Sequence, residues 1–513
     1  MALNRRELLQ WMGGACSALA LSRFAKAQGA ALGTEFTGTR ASLNGYRIPD
    51  WFRDAKFGIW SHWGPQSAIE DGDWYARNMY MQGSEQYLYH VETYGHPSKV
   101  GYKDVVNDWK AAKWDPDHLM SLYKQAGAKY FVSMGVHHDN FDLWDSKHTR
   151  WNAVNMGPKK DVVGLWKKAA ESNGLRFGVS EHLWISYKWW AVSHGADKTG
   201  PLAGVPYDGA DAKFEDLYHD ADCARLGDRM DWNDDGIPES WKRHYLDRMT
   251  DLIDKYQPDL LYTDGHLPFE DYGLKMVSHL YNVNAQLHGG KTEAVYTSKE
   301  NTDCAIGTCL LDHERGVSDS ISTNPWQTDT CIGQWHYKRG QQYKPAKKVI
   351  DLLVDIVSKN GNLLLNFPLP NSGELDHEEK TVLEGITAWM AVNSEGIYAS
   401  RPWKIYGDGP STKVKIEAGN FNEDKQKDLT AEDVRFTTKG GALYAFVMGW
   451  PEKEAVVPAL GLASRQAPGT IRKVELLGHK GELKWKQDET CLKVEMPAEK
   501  ISDVGITLKV DLA

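Results

Sequence analysis

Leu246-Asp247-Arg248-Met249-Thr250-Asp251-Leu252-Ile253-Asp254-Lys255-Tyr256-Gln257-Pro258-Asp259-Leu260-Leu261-Tyr262-Thr263-Asp264-Gly265 changes its hydrophobic period partway along. Leu246, Met249, Ile253 and Tyr256 recur at helical spacing, Pro258 ends the pattern, and the run from Leu260 to Thr263 reads as a short buried strand closing on Asp264. A helix that feeds straight into a buried strand is half of a β/α unit. Working outward, similar runs occur at Lys56-Phe57-Gly58-Ile59-Trp60, Tyr130-Phe131-Val132-Ser133-Met134, Arg176-Phe177-Gly178-Val179-Ser180, Ala294-Val295-Tyr296 and Leu363-Leu364-Leu365-Asn366-Phe367. Amphipathic helices separate them; one begins at Asp115-Pro116, carries Leu119, Leu122 and Ala126 on one face, and stops at Gly127. This alternation predicts an α/β fold, a TIM-like (β/α)8 barrel over residues 45–403, with two weaker strands not evident. Beyond Trp403 the period drops to two, as in Asp433-Val434-Arg435-Phe436, Ala442-Leu443-Tyr444-Ala445-Phe446-Val447, Ile471-Arg472-Lys473-Val474-Glu475-Leu476 and Leu492-Lys493-Val494-Glu495, which predicts a C-terminal antiparallel β-sandwich over 404–513.

The whole chain has 513 residues, enough for those two domains, and its 25% charged and 41% hydrophobic composition is that of a globular protein. A formal charge of −10 argues against a nucleic-acid partner, which needs a cationic footprint. The 21 Trp, 23 Tyr and 13 Phe suggest rings that stack on a hydroxylated ligand such as a sugar. At the N-terminus, Arg5-Arg6, a short apolar stretch from Trp11 to Leu21 and Ala25-Lys26-Ala27 read as a twin-arginine signal peptide, residues 1–27, directing export to the periplasm or medium. The stretch is too short for a permanent membrane span. Cleavage removes Arg5, Arg6, Arg23, Lys26 and Glu7, leaving an acidic chain near −13. No pair among Cys16, Cys223, Cys304, Cys309, Cys331 and Cys491 has metal-ligand spacing. A protein folded before export does not depend on disulfides, although Cys304 with Cys309, or Cys309 with Cys331, could oxidise later.

Polar residues crowd the C-terminal ends of the strand runs, the face that carries barrel active sites. They are Ser61-His62-Trp63-Gly64, His137-His138-Asp139-Asn140-Phe141, Glu181-His182-Leu183-Trp184, Asp264-Gly265-His266 and the segment Asp312-His313-Glu314-Arg315-Gly316. Imidazole can donate and accept hydrogen bonds while an aromatic neighbour covers an apolar face, a combination suited to a sugar. Adjacent strand residues point to opposite faces, so His137 and His138 share a metal only if the strand has already ended; with no further cluster to complete a shell, no metal is expected. A carboxylate at a barrel strand end, such as Asp264, with a second carboxyl on a later segment is what glycoside hydrolysis needs.

Several of these blocks, together with Asp73-Trp74-Tyr75-Ala76-Arg77, Trp144-Asp145-Ser146, Asp161-Val162-Val163 and Asn360-Gly361-Asn362-Leu363-Leu364-Leu365-Asn366, resemble glycoside hydrolase family 29, the retaining α-L-fucosidases, in order over about residues 45–405. The resemblance implies an exo-acting enzyme that releases terminal α-L-fucose from glycans by double displacement and needs no cofactor. It matches Asp264 to the nucleophile, and His62, Asp73, Trp74, His137 and His138 to sugar-binding positions. It also matches Arg315 to a sugar-directed arginine; Trp326 is a further candidate for sugar binding from its place in the chain beside the other candidates. Many members carry a Trp-Glu pair where this chain has Pro325-Trp326-Gln327-Thr328-Asp329, ahead of Trp335-His336-Tyr337. Glutamine cannot act as acid/base; Glu314, next to Arg315 and 50 residues after Asp264, resembles the general acid of the branch that carries this variant, with Asp312, Glu293 and Glu300 as rivals. This variant resembles the linkage-selective branch of the family. Two other readings are an α-L-galactosidase, whose sugar differs at C6, and a catalytically silent fucose-binding protein, suggested by Gln327.

Asp231-Trp232-Asn233-Asp234-Asp235-Gly236-Ile237-Pro238-Glu239 resembles the front of a calcium loop, with Asp231, Asn233 and Asp235 as oxygen ligands. Lys242 stands where a bidentate Glu is needed, so a solvated acidic turn capping a helix from Trp241 is favoured over bound Ca²⁺.

Overall fold

A computed structural model describes residues 35–227, 230–304 and 307–513. The expected signal peptide, 1–27, lies outside them. Eight parallel strands close into a barrel in chain order: β1 Phe57–Ser61, β2 Tyr130–Val136, β3 Arg176–Glu181, β4 Leu260–Thr263, β5 Val295–Ser298, β6 Leu310–Glu314, β7 Trp326–Cys331 and β8 Gly361–Asn366. β8 returns to β1 through pairs such as Gly58 with Leu364, so the barrel has no free edge. The helix Pro116–Gln125 starts where expected, its Asp115 side chain accepting from the His118 amide, and the helix Glu239–Tyr256 ends at a left-handed Gln257 immediately before β4.

β6 and β7 are the strands that hydrophobic runs did not reveal, because their inward faces are polar. Asp312 pairs in register with Gln327, and Glu314 with Asp329. Under the barrel mouth these groups bond to one another and to two tyrosines: Tyr130 Oη donates to Gln327 Oε1 at 2.9 Å, Gln327 Nε2 to Asp312 Oδ2 at 2.6 Å, and Tyr262 Oη to Asp329 Oδ2 at 2.9 Å. Burial, reinforced by the Asp329 charge, pushes the Asp312 carboxyl well above its ordinary range. Trp60, Val132, Leu260, Tyr262, Val295 and Leu364 fill the remaining barrel interior. Gln327 is therefore a floor residue inside the barrel, with no exposure to the mouth.

The loop after β2 is held from outside. Arg248, fully buried on the helix Glu239–Tyr256, pairs with Asp142 and reaches the Asn140 side chain, fixing the segment directly after His137 and His138. Breaking such a buried pair from one side costs about 3–5 kcal/mol, so its position is strongly specified. Cys304 and Cys309 are disulfide-bonded with their Cα atoms 4.8 Å apart, tying the start of β6 to the short helix Asn301–Cys304 that follows β5; Cys223, Cys331 and Cys491 are free and buried.

The C-terminal domain has two antiparallel sheets. One contains β9 Arg401–Asp408, β10 Val434–Lys439, β11 Ala442–Val447, β13 Ile471–Leu476 and β16 Ile506–Leu512; the other contains β12 Glu454–Val457, β14 Trp485–Gln487 and β15 Leu492–Glu495. Alternating buried and exposed residues along β12 and β15 place Ala455, Val457, Leu492 and Val494 in the core between the sheets. The long connection from β9 to β10 runs back to the barrel, where Gly419 bridges Val317. Among the described residues no helix is long and apolar enough to cross a membrane.

Candidate active site

A cavity of about 510 Å³ opens at the C-terminal ends of the strands. His62 follows β1, His137 and His138 follow β2, His182 follows β3, Asp264 follows β4, Lys299 follows β5, Glu314 ends β6 and Asp329 lies on β7; all line the cavity. β2 stops at Val136, so the two histidines after it are free of strand alternation and both face inward, their ring centroids 4.3 Å apart.

Lys299 organises the charges. Its Nζ lies 2.8 Å from Asp264 Oδ1, 2.6 Å from Glu314 Oε2 and 3.7 Å from Asp329 Oδ2. Since Asp264 Oδ1 and Glu314 Oε2 are 2.8 Å and 2.6 Å from one nitrogen, they lie within 5.4 Å of each other. The second Asp264 oxygen faces His182 Nδ1 at 3.1 Å and His138 Nε2 at 3.4 Å. Burial alone would raise the Asp264 carboxyl, but the Lys299 ammonium and the two imidazoles outweigh it and hold it well below the usual carboxylate range. Glu314 goes the other way. Burial, with the charges of Asp264 and Asp329, outweighs Lys299 and raises it to about 7. Burial works against the Lys299 ammonium, yet the surrounding carboxylates raise it well above its ordinary value.

Gly265, next to the Asp264 carboxyl, has φ +110, and a Cβ there would stand 3.1 Å from the Trp184 ring. Trp184 Nε1 donates to the Asp264 carbonyl at 2.6 Å. A side chain at 265 would thus disturb both the turn and the ring that fixes it.

The imidazoles of His62, His137, His182 and His336 pack ring against ring, with His62 4.9 Å from His137 and 4.6 Å from His336. Burial drives His62 and His137 well below their ordinary values, and His182 to about 4. They are therefore neutral near pH 7, each with one N–H donor and one acceptor nitrogen. Both His62 nitrogens lack a protein partner, whereas His137 Nδ1 meets Gln66 Nε2 at 2.7 Å. Asp73 pairs with His336 Nδ1 at 2.7 Å, and half-buried Trp74, with φ +61, turns its ring edge to His138. Contrary to the sequence expectation, the fold does bring further possible metal ligands together: His62, Asp73, His137 and His336 form one group, and His137, His138 and His182 another, with ligand atoms within 4.8 Å. The same donors suit sugar hydroxyls, because a neutral imidazole serves either partner.

Two expected site residues lie elsewhere. Arg315 has its guanidinium on the Gly333 carbonyl at 2.9 Å and 5.1 Å from the centre of the Trp335 ring, and it lines another surface recess rather than this cavity. It supports Trp335, whose ring lines the cavity. Trp326 is the first residue of β7, at the opposite end of the barrel; buried, it donates from Nε1 to the Lys359 carbonyl. Among the rivals to Glu314, Asp312 lies in the floor, Glu293 precedes β5 and pairs with Arg176, and Glu300 lines the cavity.

The 231–239 turn does not cap the next helix with a side chain; that helix starts at Glu239 after Pro238. Asn233 Oδ1 accepts from Lys188 Nζ at 2.5 Å, and the Asp234 carboxylate takes His266 Nε2 and the Phe269 amide. Anchored in this way, the turn presents Trp232 at the cavity mouth.

Sequence reasoning passed over Lys299, although the residue after a strand is where barrel chemistry is sought. His182 and His336 stand within the motifs Glu181-His182-Leu183-Trp184 and Trp335-His336-Tyr337, which by themselves assign them no role. Asn420 and Phe421 had no local signal, since they reach the cavity from beyond the barrel.

Two carboxyl groups of opposed acidity at a barrel mouth, beside a cradle of neutral imidazoles and tryptophans, define the site of a glycoside hydrolase. The α-L-fucosidase family profile matches residues 24–395, and the α-L-fucosidase C-terminal domain profile matches 426–511. The chain belongs to the α-L-fucosidase family and is a glycoside hydrolase of that type. It is 26% identical over 492 residues to tissue α-L-fucosidase of Rattus norvegicus, covering 93% of this chain and 92% of that one. It is 26% identical to the Homo sapiens tissue enzyme over 461 residues, covering 87% and 84%. Among solved structures, the Thermotoga maritima α-fucosidase in complex with fucose superposes with a TM-score of 0.68 at 24% identity, covering 92% of this chain and 99% of that one.

Proposed function

We propose that this protein removes terminal α-L-fucose from glycans by a retaining double displacement, with Asp264 as nucleophile and Glu314 as acid/base. The observation that carries the reading is the single ammonium between the two groups, which keeps their nearest oxygens within 5.4 Å at separations of 2.8 Å and 2.6 Å. Retaining pairs stand about 5–5.5 Å apart, whereas inverting pairs need about 6.5–9.5 Å to admit a water.

In the first step an Asp264 oxygen forms a bond to the anomeric carbon, the glycosidic C–O bond breaks, and Glu314 gives its proton to the leaving oxygen. In the second, water attacks the same carbon, Glu314 takes a proton from it, and the Asp264 ester is cleaved. Lys299 keeps Asp264 ionised before attack. Once Asp264 is esterified its negative charge no longer raises Glu314, so the Glu314 pKa falls and the acid becomes a base when a base is required. His62, His137, His138 and Trp74 hold the fucose, and no metal or other cofactor enters either step; the 231–239 turn acts as a scaffold for Trp232.

Purified protein is expected to hydrolyse 4-nitrophenyl α-L-fucoside and to yield α-L-fucose as the first anomer seen by NMR. β-L-Fucose as the first product would refute retention, and faster turnover of the α-L-galactoside would favour the galactosidase reading. The lack of any hydrolysis would favour a silent binder, a reading weakened by Glu314 standing in the cavity while Gln327 lies in the floor. We also propose export by the twin-arginine route, on the motif at Arg5-Arg6, with Gln28 as the first residue of the mature chain.

A further inference from the structure

Two aromatic rings at the cavity mouth are left largely open to solvent. Trp232 is 46% exposed and Phe421 is 63% exposed, and both line the cavity. The other large exposed hydrophobic residues among those described are aliphatic side chains or methionine. An exposed aromatic ring at a concave site commonly marks a binding surface. Phe421 is the stronger case, because its backbone has φ +52, a conformation costly for a bulky residue, and no aromatic ring packs against it among the described residues.

The surrounding contacts hold Phe421 against the proposed acid. Its amide donates to the Glu314 carbonyl at 2.7 Å, and the Glu314 amide donates to Asn420 Oδ1 at 3.1 Å. The next residues continue the clamp, with the Asn422 and Glu423 amides on the Arg315 carbonyl and the Glu423 carboxylate on Thr330 and Lys344. The β9–β10 connection is therefore fastened to the end of β6, and its Phe421 ring stands at the cavity mouth beside Glu314. Trp232 approaches from the other wall, against Trp74, His138 and Trp184.

We propose that Trp232 and Phe421 form the aglycone subsite, gripping the apolar faces of a neutral sugar ring to which the fucose is attached. This rests on the reading of Glu314 as the acid that protonates the leaving oxygen. A neutral ring is favoured because Glu300 lines the same mouth and the chain as a whole is acidic, so an anionic aglycone would be repelled. The C-terminal domain is then part of substrate selection.

The test compares kcat/KM for a fucosyl disaccharide with a neutral reducing-end sugar against kcat/KM for α-L-fucosyl fluoride, which has no aglycone ring. In Phe421→Gly, where glycine accepts the positive φ and only the ring is lost, the disaccharide-to-fluoride ratio is expected to fall about tenfold, as loss of one stacked ring implies. Trp232→Ala, on a different loop, should lower the ratio by a similar factor, and Phe421→Tyr should keep it near wild type. A ratio unchanged within about twofold in either ring-deleting variant overturns the proposal, including the case where both substrates lose equally. If the wild-type protein cleaves neither substrate, the fucosidase mechanism itself has failed, which is a different result.

Discussion

Asp264→Asn lowers kcat on 4-nitrophenyl α-L-fucoside by about 10⁴-fold or more, the scale seen when a covalent nucleophile is removed. The reason lies in the geometry: the amide is isosteric and can still accept from Lys299, so the pocket keeps its shape, but it cannot form the glycosyl ester. Lys299 retains Glu314 and Asp329 as counter-charges, so the melting temperature should change little. The sharper version is Asp264→Gly with azide. The anion enters the vacated space on the face opposite the leaving group and gives β-L-fucosyl azide in one displacement. Activity within tenfold of wild type in Asp264→Asn, or α-L-fucosyl azide from Asp264→Gly, would remove Asp264 from the nucleophile role.

The second large effect belongs to Glu314. Glu314→Ala should lower kcat/KM on a fucosyl disaccharide by about 10²–10⁴-fold, the usual value of general acid catalysis. Activated 4-nitrophenyl fucoside should suffer far less in its first step, because its leaving group needs no proton. Azide should accelerate breakdown of the glycosyl-enzyme and give α-L-fucosyl azide, the opposite anomer to that from Asp264→Gly. The pH dependence follows from the raised pKa of Glu314. In the wild-type enzyme Glu314 is protonated below about 7 and active as an acid, so kcat/KM on the disaccharide falls as pH rises through about 7. The acidic limb, where Asp264 becomes protonated, lies well below the usual carboxylate range. Glu314→Ala should lose the alkaline limb. Its survival in the variant would assign that limb, and the acid role, to another group, with Glu300 the first to test.

Legibility in the sequence followed what each strand buries. β1, β2, β4 and β8 carry apolar runs, and they stood out because a parallel strand covered on both faces is nearly continuous in hydrophobicity. β6 and β7 did not, because Asp312, Gln327 and Asp329 turn into a barrel interior that is polar beneath the site. Among the site residues, His62, His137, His138 and Asp264 were readable as polar groups just after apolar runs. Glu314 is reached through the family resemblance once Gln327 is excluded, with Asp312, Glu293 and Glu300 left open. For Trp326, adjacency in the chain does not make adjacency in space, and the guanidinium of Arg315 does not lie where the family resemblance implies. Arg315 adopts φ +44 and turns outward beyond β6, while Trp326 opens β7 at the barrel's far end.

The sequence by itself determined the barrel, the sandwich behind it and the strand end that offers Asp264, because periodicity and strand-end position are local properties of a chain. Only the tertiary structure decided that Lys299 stands between Asp264 and Glu314, that Gln327 belongs to the floor, and that Phe421 returns from another domain to the cavity mouth. Those are relations between residues 15 to more than 100 positions apart in the chain. The acidities that separate nucleophile from acid arise from burial and from charges a few ångströms away, and both come into being only when the strands close.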